Sequence, residues 1–139
     1  MDQVVEALTQ HELLVLAWRS VVWASVAYLV ALGLMIFIRP AVVMRFFEGF
    51  ASSARVNTLE AVLRLIIGFA FMAASRDMKL PIVFFGFGAV LVVTAIPLMF
   101  LYRFHKSQAV WVFPLVRRIL PLMGVIAIAL GLLIAWALI

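Results

Sequence analysis

Three runs of membrane-crossing length carry no charge at all: residues 20–38, 81–102 and 119–139, of 19, 22 and 21 residues. No other property of the chain limits its fold so tightly. About 20 apolar residues cross the hydrocarbon core of a bilayer as a helix, and only helices and closed barrels satisfy every backbone N–H and C=O inside lipid. The runs are continuously apolar rather than alternating, which selects helices. A shorter uncharged run, 65–75, follows Arg64. Composition agrees: 12% of residues are charged and the mean hydropathy is +1.27, whereas soluble domains average about 25% charged. A 139-residue soluble fold has too little interior to hide so much apolar surface. The expected fold is therefore an all-α membrane protein. Residues 1–139 form one four-span domain, with spans at about 20–38, 59–75, 81–102 and 119–139 and interfacial amphipathic segments between them.

The charges gather between the spans. Arg39-Pro40 closes the first, because arginine can snorkel to the headgroups and proline cannot continue the preceding helix. Beyond it, Val43, Phe46, Phe47 and Phe50 fall at i, i+3, i+4 and i+7, with Arg45 and Glu48 off that stripe. This predicts a helix lying in the interface plane with Phe46, Phe47 and Phe50 inserted at the membrane surface; packing of the same stripe on the protein's own spans fits equally well. Asn57-Thr58 is the expected cap of the second span, which places Glu60 near its positive end. Glu60 and Arg64 stand four apart in the favourable order, and Arg64 is expected to snorkel outward. The short turn 76–79 makes spans two and three antiparallel neighbours, and Pro97 is expected to kink span three. Residues 103–118 place basic ends around Trp111, a further interfacial candidate, and are read as a second connection. Residues 2–18 suit a short interfacial helix or an extension of span one. They hold Asp2, Glu6 and Glu12 and no lysine or arginine, so they do not resemble a cleavable leader.

Basic residues set the orientation. The two longer connections, with Arg64, hold eight (Arg39, Arg45, Arg55, Arg64, Arg103, Lys106, Arg117, Arg118), and the opposite side holds three (Arg19, Arg76, Lys79). That bias puts the connections in the cytoplasm and both termini outside it. The stretches 20–75 and 81–139 each read span, basic and aromatic connection, arginine, span, so the chain is open to being two related hairpins. In this pattern, with Arg39-Pro40 after one span and Leu63-Arg64 leading to Gly68 in the next, it resembles small uncharacterised bacterial inner-membrane hairpin proteins of the YjeT type. The second half lacks a proline directly after its first span. The resemblance implies a bacterial inner membrane and no particular chemistry.

Catalysis needs converging polar groups, and the pattern offers none. There is no cysteine, and His11 and His105 fall on opposite sides, so no metal or cofactor site is expected. The middles of spans one, three and four offer only Ser25, Tyr28 and Thr94 as polar groups, without the intramembrane acid that small proton-coupled exporters need. A net charge of +5 on so apolar a chain points to anionic lipid rather than nucleic acid. Arg39, Arg45, Arg64, Arg103, Arg117 and Arg118 are the candidate headgroup contacts. Small residues at spacings of four (Ala127, Gly131 and Ala135; Ala27 and Ala31; Ala70 and Ala74) offer close helix packing, and Gly86 and Gly88 leave room for a neighbouring helix. The expected function is a non-catalytic accessory subunit that contacts membrane lipids and packs in a larger membrane complex or homo-oligomer. The alternative is a small carrier or scramblase for a lipid or hydrophobic solute.

Overall fold

The computed structural model describes the backbone of residues 2–50, 53–100 and 102–139, and the side chains of 9–49, 53–100 and 111–139. Among these residues five helices follow one another: α1 (Asp2–Ile38), α2 (Pro40–Phe50), α3 (Ala54–Ala74), α4 (Pro81–Phe100) and α5 (Tyr102–Leu138), with a 3₁₀ turn, Ser75–Asp77, between α3 and α4. Among the described residues four segments are long and apolar enough to cross a membrane: Thr9–Ile38, Ala54–Asp77, Pro81–Phe100 and Trp111–Leu138. The protein is an all-α, multi-pass membrane protein.

Local chemistry sets the helix ends, and two differ from expectation. At the α1–α2 junction Arg39 still donates its N–H to the Met35 carbonyl at 2.8 Å, then accepts from Val42 at 3.0 Å. Pro40, which has no N–H to lose, starts α2 at the position where proline is tolerated. Helix α3 starts five residues before the expected Leu59. Its cap is Ser53, extended at φ −148° and ψ 157°, whose hydroxyl accepts from Val56 N at 3.3 Å. Asn57 and Thr58 therefore lie inside the helix, not at its cap. The expected connection at 103–118 is likewise helical, because α5 runs without a break through Pro114 and Pro121. Near lipid a helix is the cheapest way to satisfy the backbone, and it outweighs the bonds those prolines delete. Residues 2–18 take the second of their two expected forms, an N-terminal extension of span one. At 37 residues each, α1 and α5 run about 55 Å, well past a core of about 30 Å.

Packing does not follow the two sequence halves. The most extensive contacts are α3 with α4 and α1 with α5; α1 against α3 joins these two pairs, and α4 scarcely touches α5 among the described residues. Each close pair meets through glycine. A Cβ built on Gly88 would stand 2.5 Å from the Gly68 carbonyl oxygen, and one on Gly68 2.8 Å from that of Gly88. A Cβ on Gly33 of α1 would stand 2.7 Å from the Gly124 oxygen of α5. Two apolar clusters fill the bundle. The larger joins Val22 and Val26 to Phe71, Phe84 and Ile134, with Phe71 stacked on Phe84 at 6.2 Å and edge-on to Phe87 at 5.0 Å. The smaller docks Val43 and Met44 of α2 against Ile36 and Leu120.

Candidate functional site

Two polar groupings stand out, one at the basic end of the bundle and one inside it. At the basic end, α2 folds back across α1 and α5 and leaves a cleft of about 450 Å³ lined by Pro40, Met44, Arg45, Glu48, Arg117 and Leu120. Arg117 donates to Glu48 Oε1 at 2.8 Å across 69 residues of sequence. Arg45 rests its Nε against the Ala41 carbonyl at 3.4 Å on the same helix. The cleft thus has two guanidiniums and one carboxylate, a net positive mouth against an apolar floor. Each guanidinium carries five N–H donors, of which one is engaged here. An ion pair this exposed contributes less than about 1 kcal/mol, so Glu48 serves to position Arg117 rather than to hold the fold.

The other predicted basic residues are dispersed. Arg39 is exposed at the α1–α2 junction and Arg118 is exposed outside the cleft; the side chains of Arg103 and Phe50 lie outside the described residues. Phe46 is exposed while Phe47 packs on the smaller cluster, so the phenylalanine stripe divides between surroundings and protein. Trp111 is 83% exposed. Ala127 and Gly131 are buried and Ala135 is half-buried, all toward the bundle interior.

Arg64 is the residue whose position changes most. With α3 capped at Ser53, Arg64 lies ten residues inside the helix, about 15 Å from its start. Along the candidate span Ala54–Asp77 it stands ten residues from one end and thirteen from the other. It stands level with Leu91, ten residues from the start of α4 and nine from its end, for both line one cavity. Its Nη2 reaches back one turn toward the helix start and donates to Glu60 Oε1 at 2.5 Å, with the two side chains 36% and 15% exposed. Spans one, three and four do lack acids and bases at mid-depth, but span two supplies both. The sequence signal was Ser53 ahead of Ala54 and Arg55, a serine before helix-forming residues. Reading the cap there moves Glu60 from the first turn to the second and into the membrane.

Nearer the basic end, Asn57 is 1% exposed. Its Nδ2 donates to the Leu98 carbonyl near the end of α4, and its Oδ1 is buried without a hydrogen-bond partner. Among the described residues no three His, Cys, Asp or Glu side chains converge. Compared with known proteins, the chain matches no family model, no curated protein and no solved structure. Its function is therefore argued from its own geometry.

Proposed function

We propose that this protein is a non-catalytic accessory subunit of a bacterial inner-membrane assembly, and that its basic end holds an anionic phospholipid. The carrying observation is the cleft in which Arg45 and Arg117, from helices far apart in sequence, flank Glu48. A phosphodiester suits it: the phosphate takes the free guanidinium donors, while the apolar floor of Met44 and Leu120 takes the upper acyl chain. The positive-inside bias supports a cytoplasmic position for this end, with both termini outside. It keeps its sign without Arg64, which no longer belongs to either side. Packing beside a larger neighbour is supported by the small residues that the bundle leaves unused. Ala27 and Ala31 of α1 remain exposed, and a Cβ at Gly86 of α4 would meet nothing within 4 Å.

Two measurements test this. Native mass spectrometry from mild detergent is expected to show retained phosphatidylglycerol or cardiolipin, with occupancy about tenfold lower in an Arg45→Gln/Arg117→Gln variant, as loss of about 1.4 kcal/mol of charged hydrogen bonding implies. Unchanged occupancy would remove the headgroup assignment. A pull-down of the tagged protein from its native membrane should recover a stoichiometric larger protein; recovery of a lone small particle would remove the subunit assignment. A second reading, a carrier for a lipid or hydrophobic solute, is favoured by the mid-membrane Glu60–Arg64 pair, since ionisable residues at that depth mark pathways. Liposome flux that is indifferent to the protein would dismiss it.

A further inference from the structure

The basic cleft holds one acid beside its two bases. Arg117 Nη2 donates to Glu48 Oε1 at 2.8 Å. Arg45 stands three residues before Glu48 on α2, a spacing that makes helix neighbours of the two side chains. On the headgroup reading above, on which this rests, we infer that Glu48 sets the charge of the lipid the cleft accepts. It favours a phosphodiester with one negative charge over a phosphomonoester with two.

The fold has little use for this carboxylate. The Glu48–Arg117 pair is 38% and 65% exposed, and water leaves such a contact little to add to stability. Helix α2 is docked by its apolar side instead, where Val43 is 3% and Met44 7% exposed. Nor does Glu48 belong to a cation site, for among the described residues no three acids or histidines converge. A carboxylate between two arginines weakens their hold on every anion. A cleft that only gathered phosphate would bind better without it. A repulsive element of this kind costs affinity and separates one ligand from another.

Counting charges gives the direction of that separation. Two guanidiniums and one carboxylate leave the lining at +1, and the remaining walls, Pro40, Ala41, Met44 and Leu120, add nothing to it. Arg39 and Arg118 are exposed but line no part of the cleft. Phosphatidylglycerol brings one negative charge and neutralises the lining. Phosphatidic acid, a phosphomonoester with a second pKa of about 6, carries close to two negative charges at pH 8. Once the lining is neutral, its further charge meets only the repulsion of Glu48. A unit charge about 4 Å from another changes affinity by about fivefold even in water, so the preference is measurable at an exposed site.

The test uses the full chain in maltoside micelles at pH 8, with dioleoyl phosphatidylglycerol and dioleoyl phosphatidic acid in competition and occupancies read by native mass spectrometry. Wild type is expected to favour phosphatidylglycerol by about fivefold. Glu48→Gln keeps the side-chain length and an acceptor oxygen for Arg117 while removing the charge. It should bring the ratio to parity or reverse it, with phosphatidic acid gaining more than phosphatidylglycerol. Glu48→Asp keeps the charge and should keep the wild-type preference. Arg45→Gln/Arg117→Gln should lose both lipids. Loss in that double variant, together with an unchanged ratio in Glu48→Gln, would overturn the selection and leave the headgroup reading intact. Equal disturbance of the ratio by Glu48→Asp and Glu48→Gln would also overturn it, since shape and not charge would then decide. Full retention of both lipids by the double variant would remove the two readings together.

Discussion

The two tight helix pairs are built differently. Helices α3 and α4 are joined by a turn of a few residues, so the chain itself holds them side by side, and their close approach is a reciprocal contact of backbone on backbone at Gly68 and Gly88. Helices α1 and α5 have three other helices between them in sequence and no such tether. They are stitched along their length instead: Gly33 to Gly124, Gly131 against Val30, and then a clasp at the far end. There Arg19 Nη2 donates to the Leu138 carbonyl at 2.8 Å, Lys79 N to Ala137 at 2.9 Å, and Lys79 Nζ to Trp136 at 3.2 Å while lying 4.7 Å above the Trp136 ring. The last carbonyls of a helix lack intrahelical partners and carry its negative dipole end. Two cations and an amide answer that need. Connectivity substitutes for contacts in one pair, and contacts substitute for connectivity in the other.

The contrast can be probed at five positions, from large effect to small. Gly88→Leu and Gly33→Leu each drive a side chain into backbone, and each should cost roughly 3 kcal/mol or more, read as loss of stability in a denaturing-detergent titration. The sharper readout is which pair separates: crosslinks between α1 and α5 should survive Gly88→Leu and vanish in Gly33→Leu. Arg19→Met keeps the stem and removes the charged donor to Leu138, with an expected loss of about 1–2 kcal/mol in the same titration. Lys79→Met should lose less, under about 1 kcal/mol, because its backbone N–H still reaches Ala137. If Lys79→Met costs as much as Arg19→Met, the clasp depends on side chains alone. At the small end, Gly86→Ala meets open space and should gain between 0 and about 1 kcal/mol from helix propensity.

Much of this was legible in the residues, for identifiable reasons. Unbroken apolar runs have one solution in lipid, so the four crossings and the antiparallel turn at 76–79 followed directly. Ala127 and Gly131 are buried, Gly131 beside Val30 of α1, and Ala135 packs on the larger cluster; Ala70 and Ala74 are buried too. Ala27 and Ala31 carry the same spacing and stay exposed, since spacing names a face and not what covers it. Long-range pairing was not legible: nothing in the local pattern of α1 says that α5 rather than α3 is its main partner. Arg19 and Lys79 entered the charge count that sets orientation, and composition cannot separate a topological marker from a carbonyl cap. The basic cleft was half visible. Arg45 and Arg117 were both singled out, but Glu48, which positions one of them, needed the fold. At mid-depth, a five-residue shift in one helix start separated an interfacial arginine from an intramembrane ion pair.

The clasp on α5 also carries an order of events. Trp136 and Leu138 are received by side chains made 57 and 119 residues earlier, and contacts of such separation form late because the intervening chain must first be placed. The α3–α4 hairpin can close as soon as it is inserted. Until α5 is in place, Gly33 and the Arg19 guanidinium lack the partners that Gly124 and the Leu138 carbonyl supply. During synthesis the bundle is for that interval an incomplete three-span body, and its final helix acts as the latch.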